Sequence, residues 1–142
     1  MAAVLAAISE ELAGRVAAAQ SAVVAVEARR RHGSSGVIWA DGLIATADHA
    51  LQREEEIEIT LADGERQTAQ FLGREPGADL AILRAEVKRP FDLQAAAAPR
   101  AGELVLVLGR SPDSGVNASL GIVSAVSGPW RTWRGGRLDS YI

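Results

Sequence analysis

A hairpin signature lies at residues 33–50, which read GSSGVIWADGLIATADHA. Two apolar runs, residues 37–39 and 43–45, flank the turn Ala40-Asp41-Gly42. An Asp-Gly pair between apolar runs is a strong hairpin signal, because glycine accepts the positive φ that a tight turn needs. We therefore predict two antiparallel strands here, the second of which ends just before His49.

The strand pattern continues after this hairpin. Ile57, Ile59 and Leu61 alternate with polar residues, which is the period of a half-buried strand. Asp63-Gly64 predicts a second hairpin turn, and residues 80–83 form a further apolar run. With the valine-rich segment 21–28, about six strands are expected between residues 22 and 85. Short strands at this spacing are typical of a small closed barrel or sandwich.

The segment before the strands, residues 1–21, predicts a helix. Its apolar residues recur every three or four positions and would line one face of an amphipathic helix: Leu5, Ile8, Leu12, Val16, Ala19 and Val23. We expect this face to pack on the following barrel, with assembly into a homo-oligomer as the alternative. Charged residues interrupt the segment and no basic region opens it, so neither a signal peptide nor a membrane span is predicted.

A second unit is predicted beyond a first β-barrel that spans residues 22–89. Residues 90–100 lack strand periodicity and are interpreted as a connector, whereas residues 104–108 and 120–126 are apolar runs typical of strands. A last strand begins at residues 138–142. Two or three strands cannot close a barrel, so we predict that residues 101–142 hold only part of a second one.

Composition limits the classes of function. The chain is 48% hydrophobic and 23% charged with a net charge of −3, which describes a domain with a core and no field that attracts nucleic acid or an anionic membrane. It contains no cysteine, which excludes a thiol nucleophile, disulfides and a cysteine metal site.

Two histidines, His32 and His49, are the candidate general bases, because imidazole titrates near neutral pH. His32 follows three arginines and is interpreted as a solvated residue before a glycine turn. From the residues alone, a histidine in the position of His49 is more often structural than catalytic. Asp79, after Gly77, is by the same standard a strand-capping carboxylate.

Four segments, in order and similarly spaced, carry a family resemblance. They are residues 33–49 with the ending Thr46-x-x-His49, residues 61–75, the run Ala78-Asp79-Leu80-Ala81-Ile82-Leu83, and residues 101–109 with 121–126. Together they make residues 22–142 resemble the front part of a trypsin-like serine protease of the high-temperature-requirement A (HtrA) type.

This resemblance implies an all-β, chymotrypsin-like double β-barrel with a complete first barrel, a partial second barrel and a short N-terminal helix. It implies that His49 is the general base and that Asp79 sets its tautomer and stabilises the imidazolium. The family places its serine in a Gly-x-Ser-Gly-Gly turn after a strand like residues 138–142, so we expect that serine beyond this chain. Gly33-Ser34-Ser35-Gly36 mimics the turn but precedes the histidine, against the family order.

The implied function is that of a serine endopeptidase acting on unfolded or misfolded polypeptide, with this fragment inactive alone. No metal or organic cofactor is implied, since triad chemistry needs none. The resemblance also suggests a periplasmic or cell-envelope location. The alternative is a non-catalytic, protease-derived β-barrel module that binds a peptide or a partner protein through unpaired strand edges.

Three features depart from the family pattern or stand outside it. Asp48 directly precedes His49, where a neutral residue is usual, and it either acts on the histidine electrostatically or points to solvent. Arg110 follows Gly109, where asparagine is commoner. The aromatic and basic residues 130–137 are interpreted as a loop between strands of the second barrel, a region that the resemblance associates with regulation and substrate access. Stacking on single-stranded nucleic acid is the alternative, which the acidic net charge disfavours.

Overall fold

The computed structural model describes residues 1–28, 33–92 and 98–142. His32, the three arginines before it and residues 93–97 of the predicted connector lie outside the described residues. The elements are α1 (Ala2–Ala19), β1 (Val23–Glu27), β2 (Ser34–Ala40), β3 (Leu43–Ala47), β4 (Ile57–Thr60), β5 (Arg66–Glu75), β6 (Leu80–Arg84), β7 (Leu104–Ser111), β8 (Gly115–Ile122), β9 (Trp130–Arg131) and β10 (Arg137–Leu138). Short 3-10 turns cover Gln20–Ala22 and Asp48–Ala50.

The first six strands close into an antiparallel barrel in the order β1-β2-β3-β6-β5-β4. Alternate side chains point inward, as the period of two predicts; in β3, for example, Ile44 and Thr46 are buried between half-buried neighbours. The barrel core is built chiefly from Val24, Val26, Ile38, Ile44, Ile57, Ile59, Ala69, Ala81 and Leu83. The predicted closed first barrel is therefore confirmed, as are both Asp-Gly hairpins.

Gly36 lets strands β2 and β3 close over this core. A Cβ atom built on Gly36 would lie 2.7 Å from Ile44 Cγ2, which is too short for a real carbon contact, and 3.1 Å from Val26 Cγ2, which is tighter than most. The residue opposite Gly36 across the ladder is Thr46, three positions before His49. Glycine at this position thus allows the strand that leads to the histidine to pack tightly.

The second unit consists of a long hairpin, β7 with β8, and a short one, β9 with β10. The predicted strand at residues 120–126 is wrong in its bounds, because β8 starts at Gly115 and ends at Ile122. Its partner β7 begins only at Leu104. The last backbone hydrogen bonds between the two segments are those of Val123 with Gly102 and Glu103, and residues 124–126 have no partner strand in β7. The predicted last strand at residues 138–142 is also wrong in its bounds. Strand β10 covers only Arg137–Leu138, and an isolated bridge from Ser127 to Tyr141 follows it.

The β7–β8 hairpin has an exposed apolar surface. Leu104, Val107, Leu120 and Ile122 are all more than half exposed. The prediction of an all-β chain with one complete barrel, a partial second sheet and an N-terminal helix is confirmed in these respects. The precise division of the chain at residues 90–100 stays a prediction.

Arg110 joins the hairpin to the first barrel. Its side chain is buried, and its guanidinium donates to the carbonyl oxygens of Val23 (2.6 Å) and Gln20 (3.0 Å). Its backbone N–H donates to Ser35 Oγ at 2.9 Å. The departure at Arg110 is therefore a structural anchor between the two units. The Ser35 hydroxyl of the nucleophile-like turn is engaged in the same anchor.

The helix α1 does not pack on the barrel, which corrects the prediction of a buried face. None of its residues is buried, and Ile8 in the middle of the stripe is 46% exposed. The segment is rich in alanine, which favours a helix by propensity but offers little apolar area to a neighbour. Within the described residues, no helix is long and apolar enough to cross a membrane.

Candidate active site

His49 and Asp79 meet at the ends of two neighbouring strands. Strands β3 and β6 pair in antiparallel register down to Ala47 opposite Leu80, so the residues just beyond the ladder face each other. The backbone N–H of Asp48 continues the pairing by donating to the Asp79 carbonyl oxygen at 3.1 Å. The pairing of β3 with β6 in the barrel thus brings together His49 and Asp79, which are 30 residues apart in the sequence.

The carboxylate of Asp79 holds His49 at two points. Asp79 Oδ2 lies 2.6 Å from His49 Nδ1, and Oδ1 accepts a hydrogen bond from the His49 backbone N–H at 2.8 Å. With Asp79 ionised, the first contact requires the imidazole proton on Nδ1, which makes Nε2 the basic nitrogen. The contact therefore sets both the tautomer and the position of the ring.

Asp79 has a left-handed backbone conformation, with φ of +55°. Such a conformation costs a residue with a side chain roughly 1–2 kcal/mol, although aspartate tolerates it better than most. The turn before it imposes this geometry: Ala78 and Asp79 donate to the carbonyl oxygens of Glu75 and Pro76 at 3.1 and 3.3 Å. A strained backbone at a residue that orients a histidine fits the tendency of strain to occur at functional sites.

The pKa of Asp79 is lower than that of a free aspartate. Partial desolvation acts to raise it, but the hydrogen bonds from the backbone and ring of His49, with the nearby charges of His49 and Arg134, outweigh desolvation. The Asp79 side chain remains 44% exposed and that of His49 59% exposed. Solvent and salt therefore weaken these interactions.

This lowered pKa predicts an acid-sensitive contribution of Asp79 to stability. The unfolded chain binds the Asp79 proton more tightly, so the contribution is complete above the unfolded pKa of about 3.9 and is lost as pH falls through the folded pKa. We expect the difference in free energy of unfolding between wild type and Asp79→Asn, measured in urea at several pH values, to shrink below about pH 4. A difference that stays constant into strong acid would contradict this.

Asp48 does not point to solvent, which removes that alternative from the sequence analysis. Its side chain is only 7% exposed and lies between two arginines, with Oδ1 at 3.1 Å from Arg74 Nη1 and Oδ2 at 3.7 Å from Arg134 Nη1. Oδ1 of Asp48 has no partner with hydrogen-bond geometry, so the first contact is an ion pair only. Arg74 continues the network to Glu54 Oε1 at 2.6 Å.

Residues 130–138 form a hairpin that docks on the turn carrying Asp79, and we call it the docked hairpin. Thr132 Oγ1 donates to the Gly77 carbonyl oxygen at 2.7 Å and accepts from the Gly136 N–H at 3.0 Å. The backbones of Gly136 and Gly77 are in direct contact, since a Cβ on Gly136 would lie 2.3 Å from the Gly77 carbonyl carbon. The predicted loop is thus an ordered element of the site.

A cavity of about 370 Å³ opens beside His49, between the docked hairpin and the turn at residues 76–79. Trp130, Trp133 and Leu138 supply an apolar lining, opposite the turn at residues 76–79. The guanidinium of Arg134 stacks at 4.9 Å from the Trp133 ring centre. A larger hollow of about 840 Å³ is lined by acidic residues, including residues 54–56, and contains neither His49 nor Asp79. Among the described residues, no group of three His, Asp or Glu side chains is placed to hold a metal ion.

The sequence pattern points to His49 and Asp79 but not to the residues around them. It predicts only a loop at residues 130–137, whereas in the structure the Thr-x-x-x-Gly spacing closes a tight turn through the Thr132 hydroxyl. Gly135 has a φ of +87°, so the Gly135-Gly136 pair was the available signal for that turn.

Comparison with known proteins identifies a family for the chain. The family model described as trypsin-like peptidase domain matches residues 34–142. A probable periplasmic serine endoprotease DegP-like of Bartonella henselae is 33% identical over 96 residues, which are 66% of this chain and 19% of that protein. The mitochondrial serine protease HTRA2 of Bos taurus is 34% identical over 123 residues, which are 76% of this chain and 27% of that protein.

A solved structure is similar as well. The crystal structure of the serine endoprotease from Yersinia pestis superimposes with a TM-score of 0.69 at 32% identity, covering 78% of this chain and 43% of that one. The present chain therefore spans under a third of the two curated relatives, and its barrels fit the predicted chymotrypsin-like fold. The chain belongs to the trypsin-like peptidase family and is the N-terminal part of an HtrA-type protease domain.

Proposed function

We propose that this chain carries the general base, His49, and the orienting carboxylate, Asp79, of a serine endopeptidase that acts on unfolded or misfolded polypeptide. The observation that carries the proposal is the two-point contact, 2.6 Å from Asp79 Oδ2 to His49 Nδ1 and 2.8 Å from Oδ1 to the His49 backbone nitrogen. A catalytic triad needs a carboxylate on Nδ1 so that Nε2 can accept the proton of the serine hydroxyl. The relatives named as serine proteases support the assignment.

In this mechanism each residue has one task. His49 Nε2 removes the proton from the attacking serine and later returns it to the leaving amine. Asp79 stabilises the imidazolium between those two steps, since both of its oxygens already face His49. No metal or organic cofactor takes part in the proposed reaction.

The proposed serine lies outside residues 1–142, so that this chain alone does not hydrolyse peptides. The sequence contains no Gly-x-Ser-Gly-Gly, and the hydroxyl of Ser35, in the segment that imitates it, is bonded to Arg110. Because the oxyanion hole is formed beside the serine, the chain would lack that source of rate acceleration too.

The cavity beside His49 supports an extended polypeptide as substrate. Its apolar lining by Trp130, Trp133 and Leu138 offers contact to the hydrophobic side chains that an unfolded chain exposes. A folded protein buries these side chains, so it would gain less from the same surface.

A fluorophosphonate probe, which labels activated serines, tests the placement of the nucleophile. We expect residues 1–142 to stay unlabelled, while a form extended past Ile142 to include a Gly-x-Ser-Gly-Gly turn is labelled, and labelling is lost in its His49→Ala variant. A complete serine protease serves as the labelling control. Strong labelling of residues 1–142 would show that the serine is misplaced, and an unlabelled extended form would overturn the protease assignment.

The second candidate is a non-catalytic module that binds a peptide or partner protein. The exposed β7–β8 hairpin favours it, because an unpaired two-stranded sheet with exposed Leu104 and Ile122 can add a strand from another chain. A stop codon directly after Ile142 in the gene would favour this module. A Gly-x-Ser-Gly-Gly turn encoded downstream of Ile142 would favour the protease.

Assembly and location remain predictions. The exposed stripe of α1, with Leu5 and Ile8, supports its use as a surface for homo-oligomers. A periplasmic or cell-envelope location and the absence of a nucleic-acid partner rest on the sequence arguments.

A further inference from the structure

The docked hairpin contacts both chain segments that form the His49–Asp79 pair. Thr132 and Gly136 lie against Gly77, two residues before Asp79. Arg134 reaches the other segment, at 3.7 Å from the carboxylate of Asp48, the residue directly before His49. One short element therefore contacts the segments that carry Asp79 and His49, the first by hydrogen bonding and backbone packing and the second by an ion pair.

The hairpin has few backbone pairs of its own. Strands β9 and β10 share only two residue pairs, Arg137 with Arg131 and Leu138 with Trp130. An isolated ladder of this length is not stable in water, so its conformation depends on packing against something larger. The edge contact of Trp130 with Tyr141, at 5.1 Å between ring centres, and the bridge from Ser127 to Tyr141 stabilise the hairpin within its own unit. The contacts with Gly77 and Asp48 add the surface of the site to this support.

The burial of Asp48 is the basis of the ionic contact. A carboxylate that is 7% exposed is unfavourable unless cations pair with it, and among the described residues Arg74 and Arg134 form ion pairs with it. Arg74 belongs to the same barrel and also holds Glu54, whereas Arg134 comes from outside the barrel. Arg134 is therefore the cation whose pairing with Asp48 depends on docking.

We propose that Arg134 and Asp48 are positioning residues, through which the docked hairpin holds the turn of Asp79 against His49. With the hairpin docked, the Gly77–Asp79 turn is clamped and the Asp79 carboxylate stays on Nδ1; with the hairpin released, the turn relaxes and the ring loses its fixed tautomer. Because coupling of this kind is reciprocal, anything that binds and displaces the hairpin would weaken the pair. This inference rests on the proposed function in one respect: the positioned His49–Asp79 pair is catalytic only if that function is correct.

The test reads the His49 ring directly, by nitrogen-15 NMR of residues 1–142 carrying His32→Gln, which leaves one histidine. The Nδ1 proton held by Asp79 should give a slowly exchanging signal that Asp79→Asn abolishes. We expect Arg134→Gln and Gly136→Val to speed its exchange with solvent by roughly 5- to 150-fold, the usual range of coupling between sites. The nitrogen shifts should move from a single tautomer to a mixture.

Matched variants separate positioning from loss of structure. Arg131→Gln removes a charge from an exposed side chain of the same hairpin and should leave the exchange rate unchanged. Arg134→Lys keeps a cation near Asp48 and should restore part of the protection. Asp48→Asn should act on the same step, so that Arg134→Gln has little added effect in its presence. Methyl signals of Ile44 check that the barrel stays folded.

The outcomes distinguish the two proposals. Unchanged exchange in both Arg134→Gln and Gly136→Val would overturn the positioning role and leave the protease assignment intact. Faster exchange in these variants, with an extended form that no fluorophosphonate labels, would support positioning and overturn the assignment. A wild-type chain without a protected Nδ1 proton would overturn the positioning role, whereas labelling of the extended form still decides the protease assignment.

Discussion

Asp79→Asn is expected to lower kcat by about 10⁴-fold in any form of this protein that contains the nucleophilic serine. Asparagine can still accept from the His49 backbone N–H, but its NH₂ group can only donate to Nδ1. The imidazole proton then moves to Nε2, which can no longer accept the proton of the serine. The imidazole ring stays near its place, but Nδ1 becomes the hydrogen-bond acceptor and Nε2 the donor.

Hydrolysis of an unstructured chromogenic peptide, followed as kcat and KM separately, measures this effect. Because the substitution acts on the proton transfer, kcat should fall while KM changes little. Asp113→Asn, at an exposed turn between β7 and β8, is the matched control and should retain full activity. A decrease below tenfold for Asp79→Asn would mean that Asp79 does not set the tautomer.

Ile44→Ala is expected to reduce the free energy of unfolding by about 3 kcal/mol, within the range of 2–5 kcal/mol for large-to-alanine changes in a core. Ile44 is fully buried in the barrel core, on strand β3, which ends at Ala47, two residues before His49. Urea unfolding followed by circular dichroism measures the change. Ile8→Ala on the exposed helix is the matched control and should cost under about 0.5 kcal/mol. Similar values for both would contradict the packing described above.

Gly36→Ala tests the same contact from the other strand. The added methyl would lie 2.7 Å from Ile44 Cγ2, and overpacking of this kind typically costs about 1–3 kcal/mol. Alanine at position 44 lacks Cγ2, so the double variant should be less destabilised than the sum of the single ones. Strict additivity would show that the two sites do not touch.

The strands of the first barrel were predictable because their signals are local. Alternation at Ile57 and Ile59 and the Asp-Gly turns act over a few residues, and the ladder formed where these signals indicated. His49 and Asp79 were different, since each alone suggested a structural role. Only the order of the segments around them, compared with a family pattern, singled them out as a pair.

The features that failed depend on what a segment meets in space. Helix α1 was predicted to be packed because it has an apolar stripe, yet a stripe does not specify a partner. Strand β8 ends at Ile122 because its partner β7 runs out, which the apolar run to residue 126 does not show. Both errors come from reading a pairwise property from one strand or helix.

The amino-acid sequence by itself determined the alternating strands and the glycine turns, and its order of segments, compared with a family pattern, pointed to His49 after β3 and Asp79 before β6. The tertiary structure alone decided the environment of that pair: Asp48 is buried between Arg74 and Arg134, and the docked hairpin lies on Gly77. The reason is the range of the forces. Turns and periodicity act between neighbours in the chain, whereas burial of a charge and docking of a hairpin need surfaces from distant parts of it, as with Thr132 and Gly77, 55 residues apart.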